Sequence, residues 1–88
     1  MINNVIYKVA MMGGMDGMRY IEEFYNTKEA AFEAIRKENW NDVTGLYEIN
    51  IKVDENGKLV AEENRVARPH TAEERKRNRE NKNENYVD

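Results

Sequence analysis

Along the first dozen residues, apolar side chains fill both alternating sets: Val5, Tyr7, Val9 and Met11 on one side, Ile6, Ala10 and Met12 beside Lys8 on the other. A strand apolar on both faces belongs in the middle of its sheet, and the pattern predicts one over residues 4–12. From Met18 to Tyr25 aromatic residues resume around the pair Glu22 and Glu23, as in a second strand more exposed on one face. Residues 13–17 between them then form a hairpin loop.

The period changes next. Asn26 and Thr27 are N-cap candidates for a helix from Lys28 to about Asn39, in which Ala31, Phe32, Ala34 and Ile35 gather on one side. After the W-N-D-V-T-G connection, Tyr47, Ile49, Ile51 and Val53 alternate with Glu48, Asn50, Lys52 and Asp54, the cleanest strand pattern in the chain. D-E-N-G-K reads as a turn with Gly57 in a left-handed conformation, and Leu59 to Ala61 as a short returning strand. The expected fold is α+β: a small antiparallel sheet in ββαββ order, one face packed on the helix. Phe32, Ile35, Tyr47, Ile49 and Ile51 are the expected core, with Trp40 at its edge or, if exposed, an interface anchor.

From Arg68 to Asn85 the apolar side chains are Pro69 and Ala72 alone, so this segment is not expected to help fill a core. It opens like a helix, since T-A-E-E places Thr71 as a cap and Glu74 three residues on, a capping box. The division expected is an acidic α+β domain over residues 1–67 and a charged tail, helical or disordered, over 68–88. Deleting the tail is expected to leave a folded domain.

Length and charge narrow the function. Eighty-eight residues allow one domain without deep clefts, and the absence of cysteine removes disulfides and thiolate metal sites. The start has no basic segment followed by a long apolar run, so a soluble cytoplasmic protein is expected, without a membrane span. Residues 1–64 hold 7 Lys/Arg against 12 Asp/Glu, and residues 65–88 hold 7 against 5, which makes the −3 of the chain from an acidic body and a basic tail. The body is suited to basic partners and the tail to acidic ones.

Candidate chemistry is sparse. There is no serine or cysteine, and the one histidine, His70, stands beside Pro69, so no Ser/His/Asp or Cys/His site can be built. Thr27, Thr44 and Thr71 fall where caps and turns are expected. Glu22 and Glu23 point to opposite faces of a strand, and D-E-N-G-K lacks the spacing of a calcium loop. No catalytic residue, metal or cofactor is expected. M-M-G-G-M-D-G-M, residues 11–18, fits neither G-x-G-x-x-G nor a P-loop and joins two strands. Its glycines suit a wide turn. Its methionines are too many for a loop tip to bury, so the stretch is either plain turn plus core or a contact patch in which Met11, Met12, Met15, Asp16 and Met18 are the candidate partner contacts. In helical projection the tail aligns Arg68, Arg75, Arg79, Lys82 and Tyr86 opposite Glu73, Glu80 and Glu84, which Arg77 joins. That basic stripe suits phosphates with stacking, an acidic protein surface, or plain solvation.

The order hairpin, capped helix, returning strand over roughly residues 4–53, on an acidic body without catalytic groups, resembles small phage-encoded inhibitors of host machinery such as the T7-type inhibitor of bacterial RNA polymerase. The resemblance lies in architecture and implies a non-enzymatic protein that occludes a host enzyme or defence complex. The alternative reading is an RNA- or DNA-binding accessory protein acting through Arg75, Arg79, Lys82 and Tyr86. A host protein is the expected partner, and self-association stays open.

Overall fold

A computed structural model describes residues 4–14 and 18–77. Along the chain the elements are β1 (Val5–Gly13), β2 (Arg19–Tyr25), α1 (Lys28–Lys37), β3 (Asp42–Val53), β4 (Leu59–Val66) and α2 (Ala72–Arg77). The strands form one antiparallel sheet in the order β2-β1-β3-β4, with β1 central as its two apolar faces require. A small α+β fold with an antiparallel sheet is thus as expected. The ββαββ description did not contain this spatial order, while α2 falls in the tail expected to be helical or disordered.

Local chemistry sets the boundaries. Gly14, with φ at 91°, turns the chain out of β1 through a conformation that other residues avoid. Thr27 caps α1, its hydroxyl accepting the Ala30 N–H at 3.1 Å. At the far end of the sheet the Asp54 carboxylate accepts the N–H groups of Asn56 and Lys58 at 2.8 and 2.9 Å, and Gly57 takes φ of 81° to close the β3–β4 turn.

The core is where expectation and structure part. It consists of Val9 and Met11 from β1, Ala31 and Ile35 from α1, and Val43 and Leu46 from β3. Tyr7, Ile21, Tyr25, Phe32 and Val66 pack around it. Val43 and Leu46 belong to the stretch expected to be a connection, which is instead the first part of β3. The register slips between Ala10 and Met11: Ala10 faces Gly45 while Met11 faces Val43, so Thr44 is an extra residue whose hydroxyl is bonded to the Ala10 carbonyl at 3.2 Å. Such a bulge reverses the side on which later residues fall.

Tyr47, Ile49 and Ile51 accordingly pair with the Ile6 and Lys8 side of β1 and point away from α1. Of the five residues expected in the helix-side core, Ile35 is buried there and Phe32 lies at its margin. Ile49 is buried on the opposite face. Trp40 is not at the edge of the core at all but 92% exposed.

The segment after β4 also departs from its expected role. Arg68, Pro69 and Thr71 are buried, and α2 docks against α1 through the Glu73 N–H to the Glu38 carbonyl at 3.4 Å. The capping box forms as the sequence implied: Glu74 N–H to Thr71 Oγ1 at 3.0 Å and Thr71 N–H to Glu74 Oε1 at 2.9 Å. What composition concealed is that a charged side chain fills space when its charge is answered. The Arg68 guanidinium bonds both oxygens of Glu74, at 2.8 and 2.7 Å, and also the Pro69 carbonyl.

Candidate protein-binding surface

One end of the sheet gathers the β1–β2 tip and the loop between α1 and β3. Asn41 packs so closely on Gly13 that a Cβ there would collide with its carboxamide, which brings the two loops together. The second loop is held from within by Glu38, whose carboxylate accepts the Trp40 N–H at 2.8 Å, the Asn41 N–H at 3.1 Å and the Asn41 side-chain amide at 3.4 Å. Burial pushes the Glu38 carboxyl up, but the N–H groups of Trp40 and Asn41 outweigh it and hold the carboxyl below its ordinary value. The charged carboxylate therefore fixes the backbone from which the Trp40 indole projects into solvent.

The methionines divide across this end. Met11 is core, packed with Val9 and Ile35, and is removed from the candidate contacts because its side points at α1. Met12 is half-buried on the opposite side of the strand, and Met18 is 73% exposed at the start of β2. Met15 and Asp16 lie outside the described residues. Trp40, which pattern reading assigned to the core edge, joins Met18 as an exposed large apolar group here. The signal that could have placed it was the polar run around it, Glu38-Asn39 before and Asn41-Asp42 after.

The basic stripe of the tail is partly consumed by the fold. Arg68 is buried in its pair with Glu74, and Arg75 donates to the Arg36 carbonyl at 3.0 Å and the His70 carbonyl at 3.1 Å. Arg79, Lys82 and Tyr86 lie outside the described residues. A hollow of about 410 Å³ at the start of α1 is lined by Tyr7, Lys28, Glu29 and Glu48 among others. Tyr7 there donates to Glu48 at 3.3 Å, and the hydroxyl of Thr27 on its wall is spent as the helix cap.

The sheet face turned away from α1 carries its own construction. Lys8 lies at its centre with Nζ 2.8 Å from Glu63 and 3.2 Å from Glu22, and 4.9 Å from the centroid of the Tyr47 ring. Tyr20 donates to Glu22 at 2.8 Å. The bonds to the two carboxylates outweigh the effect of burial and hold the Lys8 ammonium far above the ordinary lysine value. Gly45 makes room for the Tyr47 ring, which lies where a Cβ would stand. Around this cluster are Ile6, Phe24 and Ile49, with Ile51, Val53 and Leu59 further along β3 and β4 on the same face, and α1 and α2 both lie on the other side of the sheet or against each other.

Among the described residues no helix is long and apolar enough to cross a membrane. No protein-family model, curated protein or solved structure matches the chain.

Proposed function

We propose that this chain is a non-enzymatic protein-binding module of the cytoplasm that docks on a host protein through the end of the sheet bearing Trp40 and Met18. Occlusion of the host protein's own surface is the mode of action, as in the phage-encoded inhibitors whose element order it resembles. The observation that carries the reading is the Trp40 indole, 92% exposed on a loop whose Trp40 and Asn41 N–H groups are both held by Glu38. An exposed tryptophan on a rigid loop binds without first losing freedom, and tryptophan is the residue type most enriched among interface hot spots. Met18, exposed at the same end of the sheet, adds a side chain that adapts to irregular surfaces.

The test is capture from an extract of the native host with the full chain as bait, followed by mass spectrometry and titration of the protein recovered. Trp40→Ala removes a contact worth about 2 kcal/mol or more at a hot spot, so affinity should fall roughly 30-fold while thermal stability stays unchanged. Recovery of the same protein with undiminished affinity by that variant would remove this surface from the reading. Bulk nucleic acid in place of a defined protein would favour the tail instead. The burial of Arg68 against Glu74 and the bonds of Arg75 to two backbone carbonyls disfavour that outcome.

A further inference from the structure

The sheet face opposite α1 has the sequence signature of a buried surface. On β3 the residues pointing to it, Tyr47, Ile49, Ile51 and Val53, are apolar, and those pointing to the α1 side, Glu48, Asn50, Lys52 and Asp54, are polar or charged. Alternation of that kind marks the apolar side as the one kept from water. Yet Phe24, Tyr20, Val53 and Leu59 on this face are more than half exposed. Large apolar side chains left open on such a face are a liability unless something covers them.

One row of residues across this face identifies the cover. Phe24 on β2 stands opposite Lys8 on β1, Lys8 opposite Tyr47 on β3, and Tyr47 opposite Arg65 on β4. The row therefore reads aromatic, cation, aromatic, cation from one edge of the sheet to the other. Turned about an axis parallel to the strands, it becomes its own complement: Phe24 of one copy meets Arg65 of a second, and Lys8 meets Tyr47. Each contact sets a cation over a ring, an attraction that strengthens when water leaves. We propose that the open sheet face is the interface of a homodimer, in which a second copy of this chain packs face to face across the Phe24, Lys8, Tyr47 and Arg65 row.

The charges permit it. Lys8 already carries Glu22 and Glu63, so covering it leaves no lone buried ion, and Arg65, on the edge strand β4 at the rim of the face, keeps its bond to the Thr44 carbonyl at 3.0 Å. The two cations nearly balance the two glutamates and Asp42 at the end of the face, and two copies of net charge −3 meet here with little repulsion. Face-to-face sheets at about 10 Å, as in β-sandwiches, accommodate interdigitated side chains of this size. The interface is separate from the Trp40 end, which each copy would still present.

Sedimentation equilibrium of the full chain at roughly 100 μM, well above a micromolar dissociation constant, should give close to twice the 10.4 kDa of the chain. Phe24→Arg places two cations together at each contact, and Phe24 is 56% exposed, so the variant should keep its far-UV circular dichroism and become monomeric. The double variant Phe24→Arg with Arg65→Glu restores opposite charges across the axis and should dimerise again. Phe24→Ser, which adds no charge, should weaken the dimer about tenfold or more and stands in if the arginine variant does not fold. Trp40→Ala should leave the dimer intact, which separates this test from that of host binding. A monomeric wild-type protein, or a dimer indifferent to both Phe24 variants, would overturn the proposal. So would a double variant that stays monomeric, because the self-complementary row would then not be what joins the copies.

Discussion

Glu74→Gln probes a place where charge, rather than apolar surface, closes the fold. The Arg68 and Glu74 side chains are 9% and 14% exposed, so solvent screens their pair little. Burial pushes the Glu74 carboxyl up, but the Arg68 guanidinium and the Thr71 N–H outweigh it and hold it at about 2, against an ordinary value of 4.5. At 1.36 kcal/mol per unit, that depression corresponds to about 3 kcal/mol of folding stability at neutral pH, within the range of about 3 to 5 kcal/mol for breaking a buried pair. Because the folded value lies below the unfolded one, this stability is fully present above pH 4.5 and is lost as pH falls from 4.5 towards 2. Urea unfolding of wild type and variant at a series of pH values measures it directly. With a slope near 1 kcal/mol per molar, the variant's midpoint should fall by roughly 2 to 3 M at pH 7, and the gap should close by about pH 2. A gap under about 1 kcal/mol, or one that does not change with pH, would refute the assignment of the pair to the global core. So would loss confined to α2, seen as rapid hydrogen exchange at the Glu73 and Arg75 amides over an otherwise unchanged fold.

Two further outcomes follow from the same packing. Truncation after Ala67 removes the buried Arg68, Pro69 and Thr71, so it should lower the melting temperature in differential scanning calorimetry, and an unchanged melting temperature would show that these residues add nothing to the core. Leu46→Ala, at a fully buried position between β1, β3 and α1, should cost about 2 to 5 kcal/mol in chemical denaturation, and a loss within error would remove Leu46 from the core.

Periodicity in the sequence carried the elements well and the faces badly, for one physical reason. The alternation from Tyr47 to Val53 is genuine, but alternation says only that two sides differ. Which side meets the helix is fixed upstream by the extra residue at Thr44, and the pattern after it is the same with or without the bulge. Thr44 and Gly45 looked like loop because threonine followed by glycine is common in turns. Here the glycine is needed for another purpose, to let the Tyr47 ring lie against the backbone. Composition misjudged residues 68–71 in a similar way. Pro69 and Thr71 were present to be counted, but the burial of Arg68 depends on Glu74, six residues further on, and no scale of single residues contains that dependence.

The surfaces were less legible still, and the reason differs between them. For the loop at residues 11–18 the sequence supplied the right residue types without their division: Met11 and Met18 are chemically identical, and only the strand boundary sends one to the core and leaves the other in solvent. For the open face the residues were all visible, but their meaning is a relation across four strands. Phe24, Lys8, Tyr47 and Arg65 are far apart in the chain and become one row only through the registers of three strand pairs. A residue-by-residue reading places Lys8 as a blemish in an apolar strand. Once the sheet is assembled, the same lysine is the centre of a paired network that an apolar cover can tolerate, because its charge is answered by Glu22 and Glu63 before any partner arrives. The two surfaces are therefore open to separate perturbation: substitutions at Trp40 and Met18 test the recognition end without touching that network, and substitutions at Phe24 test the face without touching the loop that Glu38 holds.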